Sequence, residues 1–456
     1  MNFSEINNVH FIGVGGIGMS ALARYFKSQG KVVTGYDKTE TKLTQNLVSE
    51  GVYVHYKDWG DAVLQRFHKE DTLVIYTPAI PKSFGELTAL KNAGFNVIKR
   101  AKALGIISNT FLTYAVAGTH GKTTTSAILA HVLYESPEKC NAFIGGITSN
   151  YNSNCIIEPS SDRVVVEADE FDRSFLHLRP NYAIVTTMDS DHLDIYGDGE
   201  ALKSSFNAFI NQVNPVGEVF MHAAIDQKGF NYTPGLKITS YGFDLDADWK
   251  GYNLRYEDGR FYFDIKNGTV AYNRIEFGLP GKHNAENALA VFAMAITIGI
   301  SEAIIRKAFI SFKGVKRRFD FHIRRYDLVI IDDYAHHPTE IRAFLSSVKE
   351  IYPDKKLTTV FQPHLYSRTR DFMVDFARAL ELTDELFLLD IYPARELPIA
   401  GISSDRLFDL IDLENKYMST KEMIVGDLQK TNKEIIVIVG AGDIDTCIEP
   451  IVKQFQ

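Results

Sequence analysis

The stretch Ala117-Gly118-Thr119-His120-Gly121-Lys122-Thr123-Thr124-Thr125 decides how the rest of the chain is interpreted. An apolar strand is predicted before it, over Phe111 to Ala117, and a helix after it, over Ser126 to Tyr134. Small residues between a strand and a helix let backbone N–H groups and the helix N-terminus face phosphate groups. The stretch therefore predicts a phosphate loop that binds a nucleoside triphosphate.

Two side chains of this loop suit separate tasks. Lys122 is expected to bridge the terminal phosphates, and Thr123 to ligate the magnesium ion that accompanies them. The usual spacing has a glycine where Val116 stands, so the predicted loop is a shortened one. The remaining residues expected to bind ATP here are Gly118, Thr119, His120, Gly121 and Thr124.

The composition describes an ordinary globular protein and excludes several classes. The 456 residues are 45% hydrophobic and 23% charged, which suits about three domains. A net charge of -8 offers no basic face, so no nucleic-acid partner is expected. The longest apolar run, Ala288 to Ile300, is too short to span a bilayer and predicts a buried helix. With no signal-peptide pattern, we expect a cytoplasmic protein without membrane insertion.

The three cysteines, Cys140, Cys155 and Cys447, are far apart and predict neither a disulfide framework nor a metal site.

Strands and helices alternate over the first hundred residues, which predicts a parallel sheet. Between Val219 and Leu279, short strands broken by turns indicate β-hairpins.

These patterns predict an α/β protein of three domains. Residues 1–108 form a Rossmann-like domain, and residues 109–313 form a central P-loop ATPase-type α/β domain with a small antiparallel addition. Alternation of strands and helices resumes near Gly314, so residues 314–456 are expected to form a second Rossmann-like domain.

The sequence Gly13-Val14-Gly15-Gly16-Ile17-Gly18 matches G-x-G-x-x-G between a predicted strand and a predicted helix. Asp37 follows at the end of the second strand, close to the spacing of dinucleotide-binding domains. A tight turn without a ligand is the alternative. An NAD-dependent dehydrogenase would use this turn but leave the phosphate loop idle, whereas a ligase could use it for a nucleotide-linked substrate.

Two acidic clusters follow successive strands of the central domain. Glu167-Ala168-Asp169-Glu170 ends one strand, and Asp189-Ser190-Asp191-His192 ends the next. Open α/β sheets bind ligands at this edge. Together the clusters predict one or two magnesium ions, with Glu167 a candidate ligand, although either alone could be a solvated loop.

Further candidates lie around the last domain boundary. Asn284 and Asn287 are one helical turn apart, so both amides could face one ligand, while helix capping by Asn284 competes with this interpretation. The run Lys316-Arg317-Arg318 is either a solvated surface or a source of charge for phosphoryl transfer.

The segments Asp332 to Pro338 and Gln362 to Arg370 also follow strands. The adjacent His336 and His337 do not favour a metal, because no third ligand has a suitable spacing, and hydrogen bonds to nucleotide or substrate explain them equally well. The arginines at 368 and 370 are natural carboxylate receptors, or else part of an exposed helix start.

Together these motifs resemble the Mur ligases of peptidoglycan synthesis, over the whole chain and most closely the alanine-adding members. The segments that carry the resemblance, in family order, are Gly13 to Ser20, Gly118 to Thr125, Glu167 to Leu176, Asp189 to Tyr196, His283 to Asn287, Arg317 to Phe319, Asp332 to Glu340, Gln362 to Thr369 and Gly440 to Asp443.

The resemblance implies an ATP-dependent ligase that joins L-alanine to the carboxylate of UDP-N-acetylmuramate through an acyl phosphate, with Mg²⁺. It implies that Thr123 and Glu167 bind one magnesium ion and that His192 binds a second. The implied catalytic residues are Lys122, Glu167, His192 and Arg318.

The resemblance also implies the substrate-binding residues. For ATP, it adds Asn284 and Asn287 at the adenine, Arg318 near the phosphates and Asp333 at the ribose. The implied sugar-nucleotide residues are Gly15, Gly16, Ile17, Gly18, Met19, Ser20 and Asp37, and those for the amino acid are Tyr334, His336 and Arg368.

Some positions depart from the family pattern. Leu365 stands where many relatives have arginine, so Arg368 or Arg370 is expected to carry more of the carboxylate binding. Phe171 replaces a common serine.

A ligase that recycles a murein tripeptide is the alternative function within the family. The protein is expected to be a monomer or a weak homodimer.

Overall fold

The structure is a computed structural model that describes residues 3–189, 199–257, 260–394, 396–430 and 433–456. The chain divides into two compact units. One comprises Met1–Asn253, Phe263–Ile275 and Glu286–Phe312, and the other comprises Leu254–Tyr262, Glu276–Ala285 and Lys313–Gln456. Among the described residues, no helix combines the length and apolar character that crossing a membrane requires.

The N-terminal sheet has five parallel strands in the order β3-β2-β1-β4-β5. The strands are β1 Asn8–Ile12, β2 Val32–Tyr36, β3 Tyr53–His55, β4 Thr72–Tyr76 and β5 Asn96–Lys99. The helices are α1 Ile17–Ser28, α2 Lys42–Ser49, α3 Gly85–Asn92 and α4 Arg100–Ser108, with 3₁₀ turns at Phe3–Glu5 and Gly60–Gln65. The strand order reverses at β1, so the Gly-rich turn lies at the crevice where such sheets bind ligands.

The central sheet has ten strands in the order β15-β14-β13-β12-β11-β10-β6-β9-β7-β8. They are β6 Leu112–Ala117, β7 Asn141–Thr148, β8 Ser153–Ile156, β9 Arg163–Glu167, β10 Tyr182–Val185, β11 Glu218–His222, β12 Lys237–Phe243, β13 Trp249–Glu257, β14 Arg260–Asn267 and β15 Val270–Phe277. The helices are α5 Lys122–Glu135, α6 Gly199–Ile210, α7 Lys282–Thr297 and α8 Glu302–Ser311, with a 3₁₀ segment at Phe171–His177.

Strand β6 runs parallel to its neighbours β9 and β10. The loop after β6 therefore leaves the sheet between the ends of the two strands that precede the acidic clusters. Only Gly268 and Thr269 connect β14 to its neighbour β15, which is the predicted hairpin, since two residues can join only antiparallel strands.

The C-terminal sheet has six strands in the order β16-β17-β21-β18-β19-β20, with β16 antiparallel and the other pairs parallel. The strands are β16 Asp320–Arg324, β17 Val329–Asp333, β18 Leu357–Phe361, β19 Glu385–Leu388, β20 Lys416–Met418 and β21 Ile435–Val439. The helices are α9 Pro338–Ile351, α10 Tyr366–Asp371, α11 Met373–Leu380, α12 Ser404–Leu410, α13 Ile424–Leu428 and α14 Ile448–Phe455, with a 3₁₀ turn at Asp443–Cys447.

Buried helices and strands form the cores. Every residue from Thr123 to Leu133 of α5 is buried, and so is the apolar run from Ala288 to Ala295 of α7. Burial on both faces explains the continuous apolar sequence of β21. All three cysteines are buried free thiols, as the sequence predicts.

Candidate active site

The phosphate loop is a tight turn between β6 and α5. Gly118 and Gly121 have φ angles of 138° and 80°, which favour glycine. A Cβ atom on Gly118 would lie 2.0 Å from Thr186 Oγ1, and one on Gly121 would lie 2.8 Å from Asn287 Oδ1. Val116 is buried in β6 opposite Glu167, which explains why the loop is shorter than the usual pattern.

Lys122 opens α5 and points back across its own loop. Its ammonium donates to the carbonyl oxygens of Gly118 at 2.6 Å and Thr119 at 3.2 Å, and lies 2.9 Å from both carboxylate oxygens of Glu170. The Glu170 side chain is fully buried, and burial raises its pKa to about 7 against the opposing effect of Lys122. Burial alone would lower the pKa of Lys122, but the carboxylates of Glu170, Asp169 and Glu167 raise it.

Thr123 and Glu167 form the second part of the site. The Thr123 hydroxyl donates to Glu167 Oε1 at 3.0 Å, and the backbone N–H of Gly145 donates to Oε2 at 2.7 Å. A Cβ on Gly145 would lie 2.5 Å from either carboxylate oxygen, so only glycine allows this approach. A hydroxyl and a carboxylate are hard oxygen donors, and they fit a magnesium ion beside a phosphate loop.

The end of β10 supports the phosphate loop from the other side. The Thr187 hydroxyl accepts from the His120 N–H at 2.9 Å and lies 2.8 Å from the Thr119 hydroxyl. Asp189 donates its N–H to Thr119 Oγ1 at 3.0 Å, and its carboxylate lies 3.5 Å from His120 Nε2. The rest of the second acidic cluster, including the predicted ligand His192, lies outside the described residues.

The two asparagines of α7 differ in their surroundings. Asn287 is buried beside Gly121 of the phosphate loop. Asn284 is also buried, but it donates to the Pro280 carbonyl at 2.7 Å. The helix begins at Lys282, so Asn284 lies inside its first turn and does not cap it, which removes the capping interpretation.

In the C-terminal unit, Arg318 and Asp333 lie near one another around Tyr334. The Arg318 guanidinium lies 4.9 Å from the centre of the Tyr334 ring. Asp333 is buried and accepts from the N–H groups of Phe319 at 2.7 Å and Ala335 at 2.8 Å. Burial raises the pKa of Asp333 to about 7, although Arg318 opposes this shift.

Two of the predicted amino-acid residues, His336 and Arg368, contact His364, and the third, Tyr334, packs edge-on against His336. Arg368 is buried, with its guanidinium 3.4 Å from His364 Nδ1, and the His336 ring meets the His364 ring edge-on at 6.1 Å. Burial lowers the pKa of His336 to about 3, so the ring is neutral. Arg368 is therefore no exposed helix start, whereas Arg370 is exposed and pairs with Asp371 at 2.7 Å.

His337 contacts the start of the helix that follows it. Its ring accepts from the Thr339 N–H at 3.4 Å as the N-cap of α9. Asp320, His322 and Asp332 do bring possible ligand atoms within 4.8 Å of one another. Because Arg317 Nε lies 3.5 Å from the buried Asp332 carboxylate, a guanidinium already supplies positive charge there. We assign no metal to that cluster.

The Gly-rich turn lies between β1 and α1. The Gly15 N–H donates to Asp37 Oδ2 at 2.7 Å. This bond connects the turn after β1 to the residue that follows β2, and both residues are predicted to bind the sugar nucleotide. Gly16 is the N-cap of α1, and Ile17 to Ser20 form its first turn. Asn154 donates to the Ile17 carbonyl at 2.5 Å and to the Ser20 hydroxyl at 3.0 Å. Met19 is buried in the core of this unit.

Several contacting residues were not predicted from the sequence. The sequence indicates Glu170 only as a member of an acidic cluster. It gives no indication of a role for Arg100, Gly145 or Asn154. Their partners are 22 or more residues away in the chain, so no local pattern marks them. For Glu170, the spacing of three residues from Glu167 at a strand end was an available signal.

Comparison with known proteins matches three consecutive segments of the chain to one family. Models of the Mur ligase family match residues 8–112 (catalytic domain), 116–295 (middle domain) and 317–443 (glutamate ligase domain). A UDP-N-acetylmuramate--L-alanine ligase of Flavobacterium psychrophilum is 51% identical over 456 residues, which is 100% of both chains.

Solved structures agree. The crystal structure of the UDP-N-acetylmuramate-alanine ligase MurC from Thermotoga maritima superposes with a TM-score of 0.84 at 27% identity, over 98% of this chain and 99% of that chain. A murein peptide ligase from Psychrobacter arcticus gives a TM-score of 0.71 at 23% identity, over 98% of both chains, which shows a shared fold.

The predicted three-domain α/β fold is confirmed, while the boundaries at 108 and 313 stay predictions. The domain models and the full-length identity show that this chain belongs to the Mur ligase family.

Proposed function

We propose that this chain is an ATP-dependent ligase that joins L-alanine to the carboxylate of UDP-N-acetylmuramate. The observation that carries the chemical part is the arrangement of Lys122, Thr123 and Glu167 at the end of β6 and β9. The choice of substrates is supported by the name of a relative that is 51% identical over the whole chain.

The reaction must activate a carboxylate, which is a poor acylating group. In the proposed first step, a carboxylate oxygen attacks the γ-phosphorus of ATP, and the bond to ADP breaks. Lys122 stabilises the charge that spreads over the phosphoryl oxygens. Thr123 and Glu167 would hold Mg²⁺, which supplies further positive charge to the phosphates when bound.

The product of that step is an acyl phosphate. The neutral amine of L-alanine attacks the acyl carbon, a tetrahedral intermediate forms, and inorganic phosphate leaves with the former carboxylate oxygen. The amine loses a proton as the amide forms. No protein nucleophile is needed, because positioning of the two reactants supplies the rate enhancement.

Glu170 orients the side chain of Lys122. The ammonium lies 2.9 Å from both oxygens of this buried carboxylate. A triphosphate entering the loop would share this cation, so Lys122 is already oriented toward the phosphates and loses little freedom on binding.

The C-terminal unit is proposed to bind the amino acid and part of ATP. Arg368 is the proposed carboxylate receptor, with Tyr334 and His336 beside the substrate. Because His336 is neutral, it can hydrogen-bond without repelling an ammonium group. Arg318 is proposed to lie near the phosphates, and Asp333 at the ribose.

The proposal is tested by following phosphate release from ATP with Mg²⁺ and UDP-N-acetylmuramate. L-Alanine, L-serine, glycine and a murein tripeptide are supplied separately, and the UDP-linked product is weighed by mass spectrometry. We expect release with L-alanine and a mass gain that matches one alanyl residue. Release with the tripeptide alone would assign the chain to recycling, and no release with any acceptor would refute a ligase.

A further inference from the structure

The loop after β9 contacts both the phosphate loop and the N-terminal sheet, within one compact unit. Glu170 in this loop holds Lys122. Its neighbour Asp169 accepts from the Arg100 guanidinium, with 2.9 Å between Oδ2 and Nη2. Two adjacent residues of one loop therefore hold cations from two different domains of the fold.

Arg100 is the first residue of α4, directly after β5. The rest of its guanidinium lies against the Gly-rich turn. A Cβ atom on Gly18 would lie 2.7 Å from Arg100 Nη1 and 3.1 Å from its Cδ, so a larger residue there would displace the arginine side chain. Gly18 belongs to the first turn of α1, where exposed N–H groups favour anions. Arg100 thus lies between the expected sugar-nucleotide turn and Asp169.

Asp169 is itself held in place by its own loop. Its second carboxylate oxygen accepts from the Phe171 N–H at 3.1 Å, and its carbonyl accepts from the Phe175 N–H at 2.9 Å. Asp172 and Arg173 have φ angles of 53° and 52°, in the left-handed region that residues other than glycine seldom adopt. Such strain persists where the surrounding contacts determine the conformation, and it is common at functional sites.

A second ion pair between the same segments provides a contrast. Lys99 lies 2.7 Å from Asp172, but these side chains are 44% and 38% exposed, against 21% for Arg100 and 33% for Asp169. Exposed pairs contribute little. Lys99 pairs with Asp172, whereas Arg100 pairs with Asp169, the neighbour of Glu170. The two neighbouring cations therefore differ in what they connect.

We propose that Arg100 is a positioning residue that sets the spacing between the sugar-nucleotide turn and the phosphate loop. The connection runs from Gly18 through Arg100 and Asp169 to Glu170 and Lys122. The inference rests on the proposed function, in which a phosphoryl group moves between substrates bound at these two places. Reacting atoms must approach to about 3–3.5 Å, and a displacement of 1 Å costs about 100-fold in rate.

The planar guanidinium suits this task better than an ammonium would. One edge of the fork pairs with the Asp169 carboxylate while the other lies against Gly18. Lysine carries the same charge on a single nitrogen and cannot make both contacts at once. Arg100→Lys therefore separates the role of charge from the role of geometry.

The test measures kcat, the KM of each substrate and Tm for Arg100→Met, Arg100→Lys, Asp169→Asn and the double variant Arg100→Met/Asp169→Asn. Lys99→Met is the matched control. We expect Arg100→Met to lower kcat by about 10- to 100-fold while the KM of ATP stays within about twofold. Arg100→Lys should recover only part of this loss. Lys99→Met should remain within about twofold of the parent chain.

The double variant should lose no more activity than Arg100→Met alone, since both substitutions break one connection. Losses that multiply, a kcat of Arg100→Met within twofold of the parent chain, or an equal loss in Lys99→Met would each overturn the inference. A loss that merely follows a drop in Tm would also overturn it. If the parent chain shows no alanine-dependent phosphate release, the proposed function fails first and this inference fails with it.

Discussion

The ammonium of Lys122 lies 2.9 Å from both carboxylate oxygens of Glu170, so the cation expected to bind phosphates is already held by a buried anion. This pair links the phosphate loop to the strand end that carries Glu167. The arrangement brings together charges that phosphoryl transfer needs, and it has consequences for both activity and stability.

Lys122→Met should lower ligase turnover by about 10²–10³-fold, because a group that stabilises the transferred phosphoryl charge is lost. It should also lower Tm, since it leaves Glu170 buried without this lysine. Adding Glu170→Gln should restore much of the Tm and none of the activity. Phosphate release and thermal unfolding check both effects, and a Lys122→Met variant within tenfold of the parent turnover would contradict the assigned role.

Gly121→Ala should impair ATP binding and stability together. Its Cβ would lie 2.8 Å from Asn287 Oδ1, at a φ of 80° that alanine rarely adopts. Gly94→Ala is the matched control, because Gly94 has a similar φ of 77° with open space around it. Titration with ATP should show at least a tenfold weaker Kd for Gly121→Ala and an unchanged Kd for Gly94→Ala. Equal effects in both variants would assign the loss to backbone strain alone.

The two arginines of α10 should differ in the amino-acid site. Arg368→Met removes the buried guanidinium beside His364 and should raise the KM of L-alanine by about 10- to 100-fold, the value of one charge-assisted hydrogen bond. Arg370→Met removes an exposed side chain that pairs with Asp371 and should leave that KM within about twofold. If Arg370→Met raised the KM of L-alanine and Arg368→Met did not, Arg370 would be the carboxylate receptor.

Stability should fall as pH rises through the range set by Asp333. Burial raises its pKa from 3.8 to about 7, so between these values the folded chain keeps a proton that the unfolded chain releases. The stabilisation is complete below the lower value and is lost as pH rises through the upper one.

Asp333→Asn should reduce this pH dependence, measured by denaturant unfolding at pH 5 and pH 8. It should also lower stability at pH 5, because one amide oxygen replaces the two acceptors used by Phe319 and Ala335. The exposed Asp375 on α11 provides the control substitution, Asp375→Asn, which should leave the dependence unchanged. An Asp333→Asn profile parallel to that of the parent chain would show that another group controls the pH response.

Strands with apolar runs could be predicted from the sequence with their correct bounds. The five apolar residues Ile435–Val439 predict a strand with the bounds that the structure has, because a strand buried on both faces leaves an uninterrupted apolar signal. β3 and β5 were not predicted, since each has only three or four residues and little apolar contrast.

Helix starts in the site were harder to predict than the motifs themselves. The predicted helix after the phosphate loop begins at Ser126, whereas α5 begins at Lys122. Thr123, Thr124 and Thr125 lie between these two positions and give no apolar pattern in the sequence. They are nevertheless buried, because the phosphate loop lies between the ends of two strands. The partners of Lys122 and Arg100 depend on the tertiary arrangement, so the charges could be predicted and their pairing could not.

The central claim is that ATP phosphorylates the carboxylate of the sugar nucleotide before the amide forms. UDP-N-acetylmuramate labelled with ¹⁸O in both carboxylate oxygens tests this directly, with ATP, Mg²⁺ and L-alanine. An acyl phosphate transfers one labelled oxygen to each phosphate released and leaves the other in the amide, so we predict singly labelled phosphate in step with product. Unlabelled phosphate alongside amide formation would contradict the account.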